Sequence, residues 1–441
     1  MTFVGKLSIF LFMSLSGFSS LGQWVGVADF DREIRALYSD SSHGQLIIGG
    51  GFTRVDGYPT SGITAYDGLA MDTDFVDAGG IVTAITSFND TIFIGGYFQT
   101  SNAGGQTVWT GGFAKRCGNS WCPGYGIGTN GVVRDFEILN GELWAAGGFD
   151  SINGSYSPYL FALNQNGVRL VGVPSSEFRG GLMTGIEPYD NQLYCVGTFM
   201  DSIGVIYNFA SVDANGTWSQ TCQPNWCHPL LSIGKYGNQL VVSGSTITSP
   251  SQCVFGYDGA TPQALSMGIN GAAIELKELN GYLFAVGYFD HADGFPASHV
   301  AIWNGVSWSA FSPSVIDNAV AAIEVFNGEL NIGGGFRIID GDSITSLAKF
   351  DGNWSAVADS IINTALDVRV YPNPSHNIFT LALPLSAEEV EAGIIDATGR
   401  CVWQGKVRSN EPFSLDLSNG IYSIVVRFRN GYKSEKLVVM R

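Results

Sequence analysis

Charge is scarce in this 441-residue chain: Asp, Glu, Lys and Arg together make up 14% of it. Basic residues are scarcer still, 22 against 39 acidic, a formal net charge of −17. The deficit is concentrated in residues 23–365, which hold 12 basic and 31 acidic residues, whereas residues 366–441 are near balance with nine and eight. A surface of that sign repels phosphate backbones, which argues against nucleic acid as a partner. Long hydrophobic runs are missing after the first 22 residues, so no transmembrane helix is expected. Catalytic signatures are missing too. There is no G-x-S-x-G elbow, no H-E-x-x-H helix and no phosphate-binding glycine loop. The five histidines (His43, His228, His291, His299, His376) form no recognisable pair. Paired-carboxylate chemistry stays open, because acids converge in space and not in sequence.

What is abundant is glycine, 58 residues, and it is periodic. A short apolar run leading into glycine and an aromatic occurs at Leu46–Phe52, Ile92–Phe98, Leu143–Phe149, Leu193–Phe199, Leu240–Thr246, Leu283–Phe289 and Leu330–Phe336. The copies end 46, 51, 50, 47, 43 and 47 residues apart. That period accommodates four short strands and their turns, the unit of a β-propeller blade. Each phrase follows another apolar strand across a tight turn such as Asn140-Gly141, Asn280-Gly281 or Asn327-Gly328. Such pairs tolerate the positive φ of two-residue hairpins. The recurring phrase glycine is expected where another backbone approaches closely, as between packed blades. A third strand and a tryptophan strand follow, the latter at Trp121, Trp218 and Trp308.

This pattern resembles the kelch-type propeller repeat over roughly residues 24–360. The fold class expected is therefore all-β: a seven-bladed β-propeller over 23–363 plus a small C-terminal antiparallel β-sandwich over 366–441. Seven blades need seven outer strands, and both Trp24 and Trp354 are candidates for the last. Asp351-Gly352 offers Trp354 a local hairpin with Phe350, so the Trp354 segment is expected to complete the seventh blade. The shortest unit, in which Thr246 replaces the aromatic, is expected to be the least regular.

The two ends read as addresses. Residues 1–22 carry Lys6, an apolar run and a small-residue cleavage site, as in a secretory signal peptide. The tail opens on Tyr371-Pro372-Asn373-Pro374-Ser375, passes through Asp396-Ala397-Thr398-Gly399-Arg400 and Asn419-Gly420-Ile421-Tyr422, and ends on a Lys436-led strand. Alternating short strands with Pro-Asn-Pro, Thr-Gly and Asn-Gly turns suit a small sandwich. In that order, these motifs also closely resemble the C-terminal sorting domain of the type IX (Por) secretion system. The resemblance implies a partner, the type IX secretion machinery, and delivery to the cell surface or the medium. Within it, Pro372, Asn373, Pro374, Asp396, Gly399, Gly420, Tyr422 and Lys436 are the motif residues.

Two cysteine pairs share one spacing, Cys117/Cys122 and Cys222/Cys227. In an exported protein they read as local disulfides; a zinc site shared by both pairs is the alternative, disfavoured because they lie about two blades apart. Cys195, Cys253 and Cys401 remain over, Cys195 in mid-strand and expected to be buried.

One loop recurs after the phrase, with Asp56-Gly57, Asn102, Asn153-Gly154, Asp293-Gly294 and Asp340-Gly341. These residues either shape Asx turns or form a ring of oxygen ligands on one face. No cofactor is required by the sequence; calcium is the one such a ring would suit. Two functions follow: an exported non-enzymatic propeller that binds a glycan or surface protein, or an exported lyase or glycosidase acting at one mouth of the channel. The absent catalytic motifs favour the first.

Overall fold

A computed structural model describes residues 22–440, apart from 73–74, 76, 99, 102–106, 109, 127, 173–180, 201–205, 221–228, 245–253, 366–367, 377, 384–388, 397–399, 410 and 429–430. Residues 1–21, Asn102, Thr246, Cys222, Cys227, Cys253 and Gly399 lie outside the described residues.

The chain is all-β apart from one helix, Trp354–Ala365. Seven antiparallel sheets follow one another. Their first strands are Ile34–Asp40, Gly80–Phe88, Val132–Leu139, Leu182–Tyr189, Leu230–Tyr236, Ala272–Leu279 and Val320–Phe326. Each pairs with the phrase strand after it across a tight turn. In the third and sixth sheets the turns are Asn140-Gly141 and Asn280-Gly281, with positive φ at both residues of each. The first strands touch in cyclic order, the seventh against the first. Seven apolar clusters obey the same cycle, each straddling two neighbouring sheets. Phe113 packs with Phe136 and Phe161 between the second and third, and Leu37 with Phe326 between the first and seventh. No sheet therefore has a private core, and the stability of each depends on both neighbours.

The phrase glycine has a closer neighbour than an adjacent sheet. A Cβ at Gly50 would run into Glu33 O, and at Gly334 into Ala319 O, both at the start of the same sheet's own first strand. The glycine one position earlier faces the next sheet: a Cβ on Gly49 would lie 2.7 Å from Val82 Cγ1.

The seventh sheet corrects the sequence expectation. Its outer strand is Gln23–Asp29, paired with Ser346–Asp351 in the register Trp24↔Phe350. Trp24 is 4% exposed, packs on Phe311 and Phe350, and donates from Nε1 to Ser312 Oγ at 3.1 Å. Loop entropy favoured the local segment by about 4 kcal/mol, the cost of a little over six doublings of loop length. Burying Trp24 and forming a six-pair ladder outweighs that. Trp354 instead opens the helix, which Asn353 caps by accepting from Ala356 N at 3.1 Å. Its ring packs on Tyr282 and Phe284, and its Nε1 donates to Gly328 O.

Trp121, Trp218 and Trp308 lie on the outer strands of the second, fourth and sixth sheets. Cys117 and Cys122 are disulfide-bonded across the Phe113–Arg116/Trp121–Pro123 hairpin, with Cα atoms 5.9 Å apart. Reduction is expected to cost about 2 kcal/mol or less, because so short a loop restrains the unfolded chain little. A thermal melt with and without reductant, in a Cys222/Cys227-free variant, measures this. Cys195 is buried and Cys401 exposed.

Residues 368–439 form two further sheets, of three and four strands, around one core that includes Phe379, Leu381, Ile394, Ile424 and Leu437.

Candidate functional site: a polar channel inside the ring of sheets

The seven first strands surround a cavity of about 1270 Å³. Each carries a β-bulge at the same place, which sets a common register. Just after the bulge stand Ala36, Ala84, Asp135, Gly185, Ser232, Glu275 and Ala322. Two residues on stand Tyr38, Thr86, Glu137, Glu187, Gly234, Lys277 and Glu324. Between these positions every strand places an apolar residue, such as Leu37, Phe136 or Ile323, in the inter-sheet core.

The first of these rings ties neighbouring sheets together. Asp135 accepts from Ile186 N at 2.8 Å, Ser232 from Leu276 N at 3.0 Å and Glu275 from Ile323 N at 2.8 Å. In each case the side chain of one sheet receives the N–H that follows the bulge in the next. The carboxylates then lie in a dense wall with only their channel side open. Burial, reinforced by the charge of Glu275, pushes Asp135 up to about 7, against the pull of its two N–H donors and Lys277. Burial and the charge of Asp135 push Glu187 up to about 8. Glu137 is raised well above the ordinary range by burial, then by Glu187 and Asp135. On the opposite side Lys277 bridges Glu324 at 2.9 Å and Glu275 at 3.3 Å.

These shifts have a measurable consequence. A carboxyl whose folded value is raised holds its proton in the folded state after the unfolded chain has lost it. Its contribution to stability is full below the ordinary value near 4 and is lost as pH rises through 7 to 8. We expect the melting temperature of the full chain to fall between pH 5 and pH 8.5, and Glu187→Gln to flatten that slope. A variant with the wild-type slope would show that Glu187 is ionised throughout.

The strand ends divide the channel by charge. At the entry of the first strands stand Arg32, Glu33, Arg35, Arg134 and Arg337; toward the opposite end lie Lys235 and Glu278. Six of the twelve Lys and Arg in residues 23–365 line this one cavity.

None of the described recurring loop residues lines it; Asn102 lies outside the described residues. Asp56, Asn153, Asp293 and Asp340 sit at positive φ in the turns of short hairpins beyond the phrase strands. Each hairpin is bonded to the segment entering its own sheet. Asp56 exchanges bonds with Asp29 and Asp340 with Val315, and Asn153 does the same with Gly128; Asp293 donates to Gly268 O and accepts from Trp308 N. A second set, not singled out in the sequence, completes these caps. Asp31, Asn130, Asn270 and Asp317 each accept two consecutive backbone N–H groups of the same hairpins. Among the described residues no group of three or more His, Cys, Asp or Glu could hold a metal ion.

In the tail the motif residues are fasteners. Asn373 donates from Nδ2 to Lys436 O at 2.6 Å and accepts from Val438 N at 2.8 Å, which pins the Pro372–Pro374 turn to the last strand. Asp396 accepts from Arg400 N and Nε. Gly420 opens the strand on which Tyr422 donates to Ser418 O at 3.0 Å. Lys436 is exposed.

Residues 369–440 match the family model of the secretion system C-terminal sorting domain. That match supports recognition by the type IX machinery and delivery to the cell surface or beyond. No curated protein matches the chain. Among solved structures, the Myceliophteria thermophila Cps50 (Swd1) β-propeller domain is similar at 10% identity and TM-score 0.46, over 74% of this chain and 99% of its own. The Neurospora crassa Pan2 WD40 domain is similar at 10% identity and TM-score 0.37, over 75% and 96%. The Trypanosoma rangeli sialidase in complex with the inhibitor DANA is similar at 8% identity and TM-score 0.31, over 93% and 84%. Among the described residues no helix is long and apolar enough to cross a membrane.

Proposed function

We propose that this protein is an exported binding module. Residues 1–22 are its leader, 23–363 a seven-bladed, kelch-like propeller, and 366–441 a sandwich that addresses it to the type IX machinery. The propeller recognises a glycan or surface protein through the mouth of its channel, without turning it over. The observation that carries this is the concentration of charge: in a chain poor in cations, half of the propeller's basic residues converge on one cavity. Asp135 and Glu275 are occupied as fasteners between sheets, and Glu275 and Glu324 as partners of Lys277, which suits a binding wall more than a catalytic pair.

A second reading rests on Glu137 and Glu187. Two carboxyls raised by burial and by neighbouring carboxylates, Glu187 to about 8, resemble the acid side of a glycosidase or lyase pair. Incubating the mature protein with a panel of polysaccharides, and scoring both retention and release of reducing ends, separates the two. Retention without release supports the binding module. Release that is lost in Glu137→Gln and Glu187→Gln supports the enzyme and overturns it.

A further inference from the structure

The residue preceding the post-bulge ring forms a ring of its own: Arg35, Thr83, Arg134, Thr184, Leu231, Ile274 and Ala321. Three of these are aliphatic. The two threonines are committed, Thr83 donating to Val133 O at 2.7 Å and Thr184 to Leu230 O at 3.2 Å. Free polar capacity in this ring therefore belongs to the two arginines. Arg35 uses Nε and Nη2 on Glu33 Oε1. Arg134 has no hydrogen bond or ion pair among the described residues, and its Nε is buried without a partner. A guanidinium cannot shed its charge. Leaving one half-buried, unpaired and within the field of a second guanidinium is costly unless something supplies the anion.

The surrounding mouth points to the kind of anion. Arg32 and Arg337 stand at the same entry with Glu33; the Asp31 carboxylate lies in the field of Arg32, and Arg337 donates to Asp31 O at 2.7 Å. That small positive zone is set in a strongly acidic protein, so it suits an isolated anionic group and repels a dense polyanion. Tyr288, at the end of the sixth phrase strand, lines the cavity and is 62% exposed; Tyr97, at the equivalent position of the second phrase strand, is 70% exposed. Exposed tyrosines present flat apolar faces with a polar tip, the form of surface on which a sugar ring packs.

We propose that the Arg35–Arg134 end of the channel is an anion subsite that receives the carboxylate of an acidic sugar, with Tyr97 and Tyr288 packing on the sugar rings at the rim. The planar guanidinium matches a carboxylate bidentately. The inference rests on the binding-module reading and deepens it to a ligand class.

The test is calorimetric titration of the mature full chain with three tetrasaccharides of equal length: an oligouronate, its carboxyl-reduced neutral analogue and a sulfated analogue. The oligouronate is expected to bind at least tenfold tighter than either. Arg134→Gln is expected to abolish that preference while leaving weak neutral binding in place, and Arg134→Lys to restore only part of it. Because removal of an unpaired charge should not harm the fold, Arg134→Gln is also expected to melt at or above the wild-type temperature. Equal affinity of wild type and Arg134→Gln for the oligouronate overturns the subsite, as does tighter binding of the sulfated sugar. Binding of the neutral analogue without charge discrimination overturns the subsite but leaves the binding module standing. If surface proteins but no sugar of any kind are retained, the acidic-sugar assignment falls alone; if nothing is retained, both fall.

Discussion

Deletion of residues 23–29 is expected to open the ring, and Trp24→Ala alone to cost about 3 to 5 kcal/mol, the range for truncating a large buried aromatic. The strand contributes a six-residue register to the seventh sheet and buries Trp24 between Phe311 and Phe350. Its loss would expose the ladder edge of Ser346–Asp351, a template for pairing with other chains. The expected results are a lower urea midpoint for Trp24→Ala and concentration-dependent aggregation for the deletion. Deletion of the helix after residue 353 serves as the contrast. It should destabilise the chain by loss of Trp354 packing without exposing a strand edge, and so without aggregation. If the two deletions behaved oppositely, the local hairpin read from Asp351-Gly352 would be the closing element after all.

Removal of residues 366–441 is expected to abolish surface delivery and leave a folded propeller in the periplasm. The tail matches a sorting domain, and its core is built from its own strands. Fractionation and protease shaving of cells expressing the truncated chain measure the outcome; normal amounts at the surface would refute the assignment. A point variant sharpens this. Asn373→Ala removes two hydrogen bonds to the last strand, at about 0.5 to 1.5 kcal/mol each, and should loosen the tail without touching the propeller.

The repeat was legible because its physics is local. Asn-Gly turns, period-two apolar strands and an obligatory glycine recur wherever a hairpin recurs, and the pattern marks the first strand of every sheet. Closure was not legible in the same way. Whether Trp24 or Trp354 completes the seventh sheet depends on which segment buries more area against Phe311 and Phe350, a comparison between residues more than 300 positions apart. The channel was hidden for a third reason. Asp135, Glu187, Glu275 and Lys277 occupy one register position or its neighbour in different repeats. In any single repeat they look like ordinary solvent-facing residues of an alternating strand. Superposing the seven first strands at their bulges is the operation that reveals them. The recurring Asx residues carried the opposite signal: repetition made them conspicuous, and their bonds to entering backbone are what every sheet needs in common.

The seam at Trp24 also fixes an order of events. The first described strand, Gln23–Asp29, finds its partner in Ser346–Asp351. A chain emerging N-terminus first must therefore keep Gln23–Asp29 unpaired until more than three hundred further residues have emerged. Seven hairpins can form on the way, each by a short loop closure, but the annealing of the ring is the last and slowest contact. An export-slowed or truncated chain would accumulate as an open, edge-exposed intermediate. The stage before the ring closes is thus where this protein is most vulnerable, and where a holding factor that covers a single β-edge would matter most.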